Sequence, residues 1–364
     1  MEFIDLKAIH EKSGGRIEAA IAKVLSHGKF INGPEVYELE EQLSNFLGGV
    51  HCVLCSSGTM ALEIALRSLE IGPGDEVITT PFTWISTAET IGLVGAKPVF
   101  VDIDPDTYNL LPEAVEAAVT PRTAAIIPVN LFGQMADYAA LESIALKHGL
   151  PIIEDAAQSL GAEQGGRKSC TVGTVSCTSF FPAKPLGCYG DGGAVFTGDA
   201  DLATTLRAIV NHGGRTRGEH EFLGTNGRCD TLQAAILLAK LPGFLKEIRL
   251  REAIGRRYTE GLEACCRTPI TGSGNTHVHA QYTIRHGNRD QLAGFLKERG
   301  IPSAVYYRNC LHQQPVFQPL GYAEGSFPNA EKAANEVLSL PFHPYLDEPD
   351  QDRIIETVIE FENA

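Results

Sequence analysis

The chain has 364 residues, and its 45 acidic side chains against 30 basic ones give a formal net charge of −15. A protein this acidic repels polyanions, so we expect neither nucleic acid nor an anionic membrane surface as a partner. The length predicts two domains, and an apolar content of 43% is ordinary for a globular protein with a full core.

Nine cysteines, among them the adjacent Cys265 and Cys266, lack the spacing of a disulfide framework and indicate reduced thiols. Cys52 and Cys55 form a C-x-x-C motif, but no second pair follows at zinc spacing, so we expect buried strand residues and no metal. Residues 1–5 lack the apolar segment of a secretory signal, and no run of the chain is apolar enough to span a membrane. These features predict a cytoplasmic protein.

The first two thirds of the chain alternate short apolar runs with amphipathic patterns, as is typical of a mostly parallel sheet with crossover helices. Seven strands are predicted, at 51–55, 76–79, 97–101, 124–129, 151–154, 175–180 and 193–196. Helices are predicted between them at 59–69, 86–94, 112–118, 137–148 and 201–210. Two further helices, 16–25 and 34–46, precede the sheet, so the fold class is α/β.

The pattern changes in the last third of the chain. Two long helices, 230–241 and 245–264, are predicted to join through Pro242-Gly243. They are followed by a strand at 279–285, a helix at 289–299, a strand at 302–306 and two late helices. We therefore expect a large domain over 1–244 and a smaller α+β domain over 245–364.

Small residues, Ser56-Ser57-Gly58-Thr59, stand between a predicted strand and a predicted helix. Such a helix start offers free N–H groups and the positive end of the helix dipole to a phosphate, although an ordinary N-cap is the alternative interpretation. The motif G-x-x-x-x-G-K-[ST] is absent from the sequence, and no G-x-G-x-x-G is suitably placed. Triphosphate and Rossmann dinucleotide sites therefore lose support.

Two acids, Glu154 and Asp155, stand at the carboxyl end of an apolar strand, where ligands bind in open α/β sheets. A capping role for Asp155 at the following helix is the alternative. Lys184 follows another strand beside Phe180 and Phe181. Apolar surroundings lower the pKa of an amine and make it available as a nucleophile or base, whereas a surface turn is the commoner place for a lysine.

Together, these features match the needs of pyridoxal 5′-phosphate (PLP). This cofactor requires a lysine for a Schiff base, an anionic partner that keeps its pyridine nitrogen protonated, and a phosphate site. The sole tryptophan, Trp84, follows a strand at the same edge of the sheet and could stack on the ring, although a core aromatic is the alternative.

Seven segments of the chain resemble the DegT/StrS sugar aminotransferases, which are fold type I PLP enzymes. They are 28–36, 57–62, 72–78, 153–159, 179–184, 190–193 and 340–344. The most specific are Asp155-Ala-Ala-Gln158 and Ser179-Phe-Phe-Pro-Ala-Lys184. The resemblance runs in order over nearly the whole chain, and it implies a mostly parallel seven-stranded sheet with flanking helices and a smaller C-terminal domain.

The resemblance also implies roles for individual residues. Lys184 would carry the Schiff base, Asp155 would pair with the pyridine nitrogen, and Gln158 would bond the ring hydroxyl. The phosphate would be held by Gly58, Thr59 and Ser179, and the ring would stack on Trp84. In this family the active site lies at a homodimer interface, so Asn226 of Gly224-Thr-Asn-Gly-Arg228 would reach the neighbouring subunit's phosphate.

The segments 96–105, 177–190 and 280–285 are most similar to the subgroup that aminates the 3-keto form of UDP-N-acetylglucosaminuronic acid, with L-glutamate as donor. Relatives usually read His-Tyr-Pro in the substrate loop, where this chain has Tyr306-Tyr307-Arg308. These three residues and Arg228 are the candidates for substrate binding. A 4-keto-6-deoxy nucleotide sugar, a keto-cyclitol and a non-catalytic regulatory role remain alternatives.

Overall fold

The computed structural model describes residues 1–216 and 218–363. Its strands, in chain order, are β1 (His51–Cys55), β2 (Glu76–Thr79), β3 (Lys97–Phe100), β4 (Thr123–Ile127), β5 (Ile153–Asp155), β6 (Glu163–Gln164), β7 (Arg167–Lys168), β8 (Val175–Ser179), β9 (Gly193–Thr197), β10 (Tyr282–Arg285) and β11 (Val337–Leu340). The two-residue strands β6 and β7 form a separate small hairpin.

The α-helices of the described residues also follow in chain order. They are α1 (Leu6–Glu11), α2 (Arg16–His27), α3 (Pro34–Phe46), α4 (Gly58–Ser68), α5 (Ser86–Leu93), α6 (Pro112–Ala118), α7 (Tyr138–His148), α8 (Ala200–Val210), α9 (Thr231–Leu262), α10 (Arg289–Glu298), α11 (Pro328–Glu336) and α12 (Glu348–Glu362). Short 3₁₀ turns lie at Leu131–Gly133, Leu311–Gln313 and Pro315–Leu320.

Seven strands form one sheet in the order β3-β2-β4-β5-β8-β9-β1. Two parallel bridges, Ile126 to Ile152 and Val129 to Asp155, join its three-stranded and four-stranded parts. Strand β9 pairs antiparallel with both neighbours, whereas the other pairings are parallel. The predicted fold class and all seven predicted strands are therefore confirmed, with end points that differ by at most two residues.

Helices cover both faces of this sheet because its strands are apolar on both sides. In β1, Cys52 and Leu54 face the layer that contains α3, α7 and the first half of α9, whereas Val53 and Cys55 face the layer of α4 and α8. Both cysteines are buried, which confirms the interpretation as strand residues. The sheet is thus the middle of three layers, and its carboxyl edge is the part left open for a ligand.

The last third of the chain differs from the prediction at three points. Helix α9 runs unbroken through Pro242-Gly243, so the predicted pair of helices is wrong. No strand forms at 302–306, where Ala304 makes only a single bridge to Ser339, and a strand that was not predicted, β11, pairs antiparallel with β10. The predicted late helices are present as α11 and α12.

The physical reason for the unbroken helix is burial on both sides of the proline. Ala234 and Leu237 before Pro242, and Phe244 and Ile248 after it, belong to one continuous apolar core. Their burial maintains the helix across a residue that lacks an N–H donor. The second half of α9 then packs with β10, β11, α10 and α12 in a separate core. The domain boundary proposed at 244/245 falls inside α9, and the division into two domains stays a prediction.

Among the described residues, no helix is both long enough and apolar enough to cross a membrane.

The continuity of α9 predicts that Gly243→Ala raises the free energy of unfolding by about 0.5–1 kcal/mol, because alanine restricts the unfolded chain and suits a helix interior. A Cβ at this glycine meets no atom within 4 Å. Urea denaturation measures the change, with Gly74→Ala as the control because Gly74 has a φ of +101° and equally open surroundings. If Gly243→Ala destabilises as Gly74→Ala does, the helix is broken there.

Candidate active site

A cavity of about 380 Å³ opens at the carboxyl ends of the parallel strands. Turns that follow β1, β2, β5 and β8 supply its walls, because parallel strands all end at the same edge of a sheet. Seven of the predicted cofactor residues line it: Gly58, Thr59, Trp84, Asp155, Gln158, Ser179 and Lys184. Tyr306 and Tyr307 enter the same cavity from the C-terminal part of the chain.

Of the two acids at the end of β5, the cavity receives Asp155 and not Glu154. Successive side chains of a strand point to opposite faces, so Glu154 turns into the interior. There its carboxylate accepts hydrogen bonds from Ser176 (2.6 Å), Asn130 (2.8 Å), Ser169 (2.9 Å) and the Cys170 N–H (3.0 Å). Burial raises the pKa of Glu154 to about 7, and these donors oppose the shift. Glu154 is thus part of the framework behind the site.

Asp155 is held from two sides. Its Oδ2 accepts a hydrogen bond from the hydroxyl of Thr87 (2.8 Å), and its Oδ1 accepts one from the backbone N–H of Ala157 (3.1 Å). Burial raises the pKa of this carboxyl, while Thr87, Ala157 and the charge of Lys184 act in the opposite direction. The two hydrogen bonds therefore stabilise the ionised form of a carboxyl that has only 5% of its surface exposed.

Lys184 lies in the turn after β8, where its backbone N–H donates to the backbone carbonyl of Phe181 (2.8 Å). Desolvation lowers the pKa of its amine from 10.5 to about 8, and the negative charge of Asp155 limits the shift. A lysine with this pKa has a substantial neutral fraction near physiological pH. The site therefore holds an amine that can act as a nucleophile or a base, close to a carboxylate.

The start of α4 forms one wall of the cavity. The hydroxyl of Ser57 caps the helix by accepting from the Met60 N–H (3.0 Å), which leaves the first N–H groups of the helix without helical acceptors. Gly58 packs against Ser179 so closely that a Cβ would come within 2.7 Å of the Ser179 Cβ. Gly193 of β9 is equally restricted, since its Cβ would meet the Ser57 carbonyl oxygen at 2.4 Å. Tight packing thus fixes a concave, electropositive helix end.

The side-chain amide of Gln158 has a fixed orientation. Its Oε1 accepts from the Phe132 N–H (2.8 Å), so its Nε2 is turned toward the hydroxyl of Tyr307, at 3.4 Å. Phe132 adopts a φ of +58°, which aims that N–H at the amide. Gln158 therefore presents a hydrogen-bond donor on the side of the cavity where Tyr307 lies.

Trp84 is not a core aromatic, because 59% of its surface is exposed. It lies at the cavity with its ring centroid 6.2 Å from that of Tyr307. Phe181, which also lines the cavity, is 51% exposed. Two large apolar side chains therefore stand uncovered at the cavity in the single chain.

Three of the predicted residues lie elsewhere in this chain. Arg308 is tied to Asp290 by an ion pair of 3.0 Å and is not among the residues lining the cavity. Arg228 donates to Asn211 (2.8 Å) and lines a second cavity of about 220 Å³. Asn226 forms a β-bridge with Asn211 beside it. Neither Asn226 nor Arg228 lines the cavity of the same chain, although Gly227 between them accepts a hydrogen bond from the Ser56 N–H (2.7 Å) beside it.

The cavity also contains polar residues that the sequence reasoning missed, namely Thr83, Ser86, Thr87, Asp191 and Gln281. Asp191 and Gln281 lie within segments that resemble the family, whereas Thr83, Ser86 and Thr87 do not, and nothing in the sequence assigns any of them a partner. The clearest case is Thr87, which lies in the first turn of α5, shortly after Trp84. Its contact with Asp155 joins residues 68 positions apart and follows only from the fold.

Comparison with known proteins identifies the family. The model of the DegT/DnrJ/EryC1/StrS aminotransferase family matches residues 11–359. The chain belongs to this family. It is an aminotransferase, and the predicted resemblance is confirmed.

Two relatives match nearly the full length of the chain. The UDP-2-acetamido-2-deoxy-3-oxo-D-glucuronate aminotransferase of Pseudomonas aeruginosa is 53% identical over 348 residues, which are 95% of this chain and 96% of that protein. A pleiotropic regulatory protein of Geobacillus stearothermophilus is 47% identical over 362 residues, which are 98% of this chain and 97% of that protein.

Solved structures give the same result for the fold. The crystal structure of a DegT DnrJ EryC1 StrS aminotransferase from Brucella abortus has a TM-score of 0.97 at 46% identity and covers all of both chains. NtdA of Bacillus subtilis, solved with bound cofactor PMP, has a TM-score of 0.90 at 29% identity, over 97% of this chain and 82% of that one.

The cofactor of the enzyme is PLP, and the cavity fits this group. It combines an amine of lowered pKa, a buried carboxylate and an electropositive helix start within one volume. These are the three elements that an aldehyde, a pyridinium nitrogen and a phosphate require.

The pKa of Lys184 predicts how fast the apoenzyme takes up PLP at different pH values. Only the neutral amine attacks an aldehyde, so the rate should rise with pH, with a midpoint near pH 8. Stopped-flow absorbance of PLP measures the rate. Asp155→Asn removes the charge that favours protonated Lys184, so its profile should move to lower pH. A midpoint near 10.5 in the unaltered enzyme would contradict the assignment.

Proposed function

We propose that the enzyme transfers an amino group from L-glutamate to the 3-keto group of UDP-2-acetamido-2-deoxy-3-keto-D-glucuronic acid. The observation that carries the proposal is the 53% identity, over nearly the whole of both chains, to the Pseudomonas aeruginosa enzyme whose name states that substrate. The cavity supports an aminotransferase reaction because it combines Lys184 and Asp155 at the carboxyl edge of the sheet. Location in the cytoplasm stays a prediction.

The proposed chemistry assigns separate tasks to Lys184 and Asp155. Bound PLP supplies an electron sink that stabilises negative charge at the carbon bearing the amino group of the donor. Lys184 would take the proton from that carbon and pass it to C4′ of the cofactor, and in the second half-reaction it would carry a proton from C4′ to C3 of the sugar. Asp155, as the ionised carboxylate, keeps the pyridine nitrogen protonated.

The other residues of the cavity hold the cofactor in this proposal. Gly58, Thr59 and Ser179 bind the phosphate at the start of α4, where the helix dipole favours an anion. Gln158 donates from Nε2 to the ring hydroxyl, in keeping with the orientation that Phe132 gives its amide. Trp84 covers one face of the ring.

The substrate side of the site requires cations that the cavity of one chain does not provide. The proposed sugar carries a diphosphate and a carboxylate, yet Lys184 is the sole basic side chain among the described residues that line the cavity. Arg308 is paired with Asp290, which leaves Tyr306 and Tyr307 as the polar groups of the substrate loop. The missing positive charge must come from another chain or from a movement of Arg308.

We therefore propose a homodimer in which Asn226 reaches the phosphate of the neighbouring cofactor and Arg228 reaches the neighbouring substrate. Exposed apolar side chains support such an interface. Phe30 (46%), Ile31 (50%), Trp84 (59%) and Phe181 (51%) are large residues that a single chain leaves in water. The guanidinium of Arg228 is held by Asn211 through one Nη and lines the second cavity, where its other Nη can donate to an anion.

A panel of keto-sugars tests the substrate. The enzyme is converted to its pyridoxamine form with L-glutamate, freed of donor, and mixed with UDP- and dTDP-linked 3-keto and 4-keto sugars. We expect the 3-keto uronic acid sugar to restore the PLP absorbance fastest, because its carboxylate and nucleotide match the proposed site. The Lys184→Ala variant is the control and should not respond. Restoration by 4-keto sugars alone would overturn the proposed substrate, and no restoration by any sugar would favour a regulatory role.

Mixed dimers test whether the active site is shared. Lys184→Ala and Asn226→Ala should each be inactive or strongly impaired, but refolding them together should recover up to about a quarter of the normal activity. Half of the dimers would be hybrids, and each hybrid would contain one intact site. Activity is measured on the refolded mixture.

The matched control is a mixture of Lys184→Ala with Asp155→Asn. Lys184 and Asp155 of one chain belong to the same site. In a hybrid dimer one site therefore lacks Lys184 and the other lacks Asp155, so neither is intact and no recovery is expected. Equal recovery in the two mixtures, or none in either, would contradict a contribution of Asn226 across the interface.

A further inference from the structure

Thr87 connects the helix after β2 to the carboxylate at the end of β5. Its hydroxyl donates to Asp155 Oδ2 at 2.8 Å, and its side chain is almost fully buried, with 1% of the residue exposed. Hydroxyl groups in such positions are hydrogen-bonded because leaving them unpaired costs free energy. The contact places a donor on the oxygen that the Ala157 N–H does not reach.

The direction of this hydrogen bond is fixed by its surroundings. An ionised carboxylate only accepts, so the Thr87 proton must point to Asp155. The hydroxyl of Thr83 lies 3.4 Å from that of Thr87 and can therefore only donate to it. Thr83 therefore stands behind Thr87 as a weak donor at long distance, while Thr87 makes the short hydrogen bond to the carboxylate.

Thr87 also holds the turn that carries Trp84. Its backbone N–H donates to the Trp84 carbonyl at 3.3 Å, at the start of α5. Thr87 thus contacts both the turn that carries Trp84 and the carboxylate of Asp155. Displacement of Thr87 would move the two groups relative to each other.

We propose that Thr87 is a positioning residue for transamination, which orients Asp155 and keeps its carboxylate ionised for the pyridine nitrogen of PLP. This inference rests on the proposed role of Asp155. Burial raises the pKa of Asp155, and the hydroxyl of Thr87 is the first of the groups that oppose the shift. Removal of that hydroxyl raises the pKa further and lowers the fraction of ionised carboxylate at neutral pH.

Other groups face Asp155 from the surrounding elements. Lys184 is the cation; Glu154, whose pKa is raised to about 7, precedes Asp155 in β5 and points to the opposite face of the sheet. The remaining groups have pKa values above their ordinary range and stay uncharged at neutral pH: Tyr138, Tyr307, Cys170 and Cys177. Substitution of Thr87 leaves all of these groups in place, so a difference in pH profile between the variants reports on the ionisation of Asp155.

The experiment compares three holoenzyme variants by their rates with L-glutamate across pH. Thr87→Val keeps the shape and removes the hydroxyl, and we expect a fall in kcat of about tenfold, with the acid limb of the pH profile about one unit higher. Thr87→Ser restores the hydroxyl and should restore the profile. Thr90→Val is the matched control, because Thr90 is fully buried on the same helix and bonds only to backbone carbonyls.

The absorbance of bound PLP provides a readout that a purely structural role would not move. In Thr87→Val the pH at which this spectrum titrates should shift, whereas Thr90→Val should titrate like the unaltered enzyme. If Thr87→Val does not fold, Thr83→Val removes only the preceding donor and should produce a smaller shift in the same direction.

Three outcomes distinguish this inference from the proposed function and from a purely structural role of Thr87. Full activity of Asp155→Asn would overturn the role of Asp155 itself. A severe loss in Asp155→Asn, with unchanged pH profiles and spectra in Thr87→Val, would overturn the role of Thr87 alone. Equal losses in Thr87→Val and Thr90→Val, with no change in profile, would show that the hydroxyl only stabilises α5.

Discussion

The opposite charges of Lys184 and Asp155 lie in one poorly solvated cavity. The protonation states of both groups, and with them the chemistry of the site, depend on this proximity. Burial alone would neutralise both groups, since it lowers the pKa of the amine and raises that of the carboxyl. Each charge partly offsets the effect of burial on the other. The hydroxyl of Thr87 and the N–H of Ala157 add donors that only the carboxylate receives. The site therefore holds a reactive amine and an ionised acid side by side.

An enzyme with a net charge of −15 is proposed to bind two anionic ligands, PLP and a nucleotide sugar. Local geometry accounts for this. The start of α4 directs backbone N–H groups into the cavity, and close packing of Gly58 on Ser179 maintains its concave shape. A phosphate can be held there without any arginine, so the overall charge excludes large polyanions and permits small ones.

One chain builds the cofactor side of the cavity more fully than the substrate side. Arginine is missing from the described lining, while Trp84 and Phe181 stand in water. The segment with Asn226 and Arg228 lies beside a different cavity of the same chain. A second copy would supply donors to the first and cover its apolar surface, which makes oligomer formation part of the proposed catalytic design rather than an addition to it.

The sequence by itself determined the family, the seven-stranded sheet and the candidates Lys184 and Asp155, because apolar periodicity and short motifs are local properties of the chain. It failed at Pro242-Gly243, where burial on both sides of the proline overrides a local helix breaker. Only the tertiary structure decided that Asp155 faces the cavity while Glu154 faces the interior, and that Thr87 bonds to Asp155. Such contacts join residues that are far apart in the chain. They are determined by the order of the strands in the sheet and by the face to which each side chain points, and no local pattern encodes either.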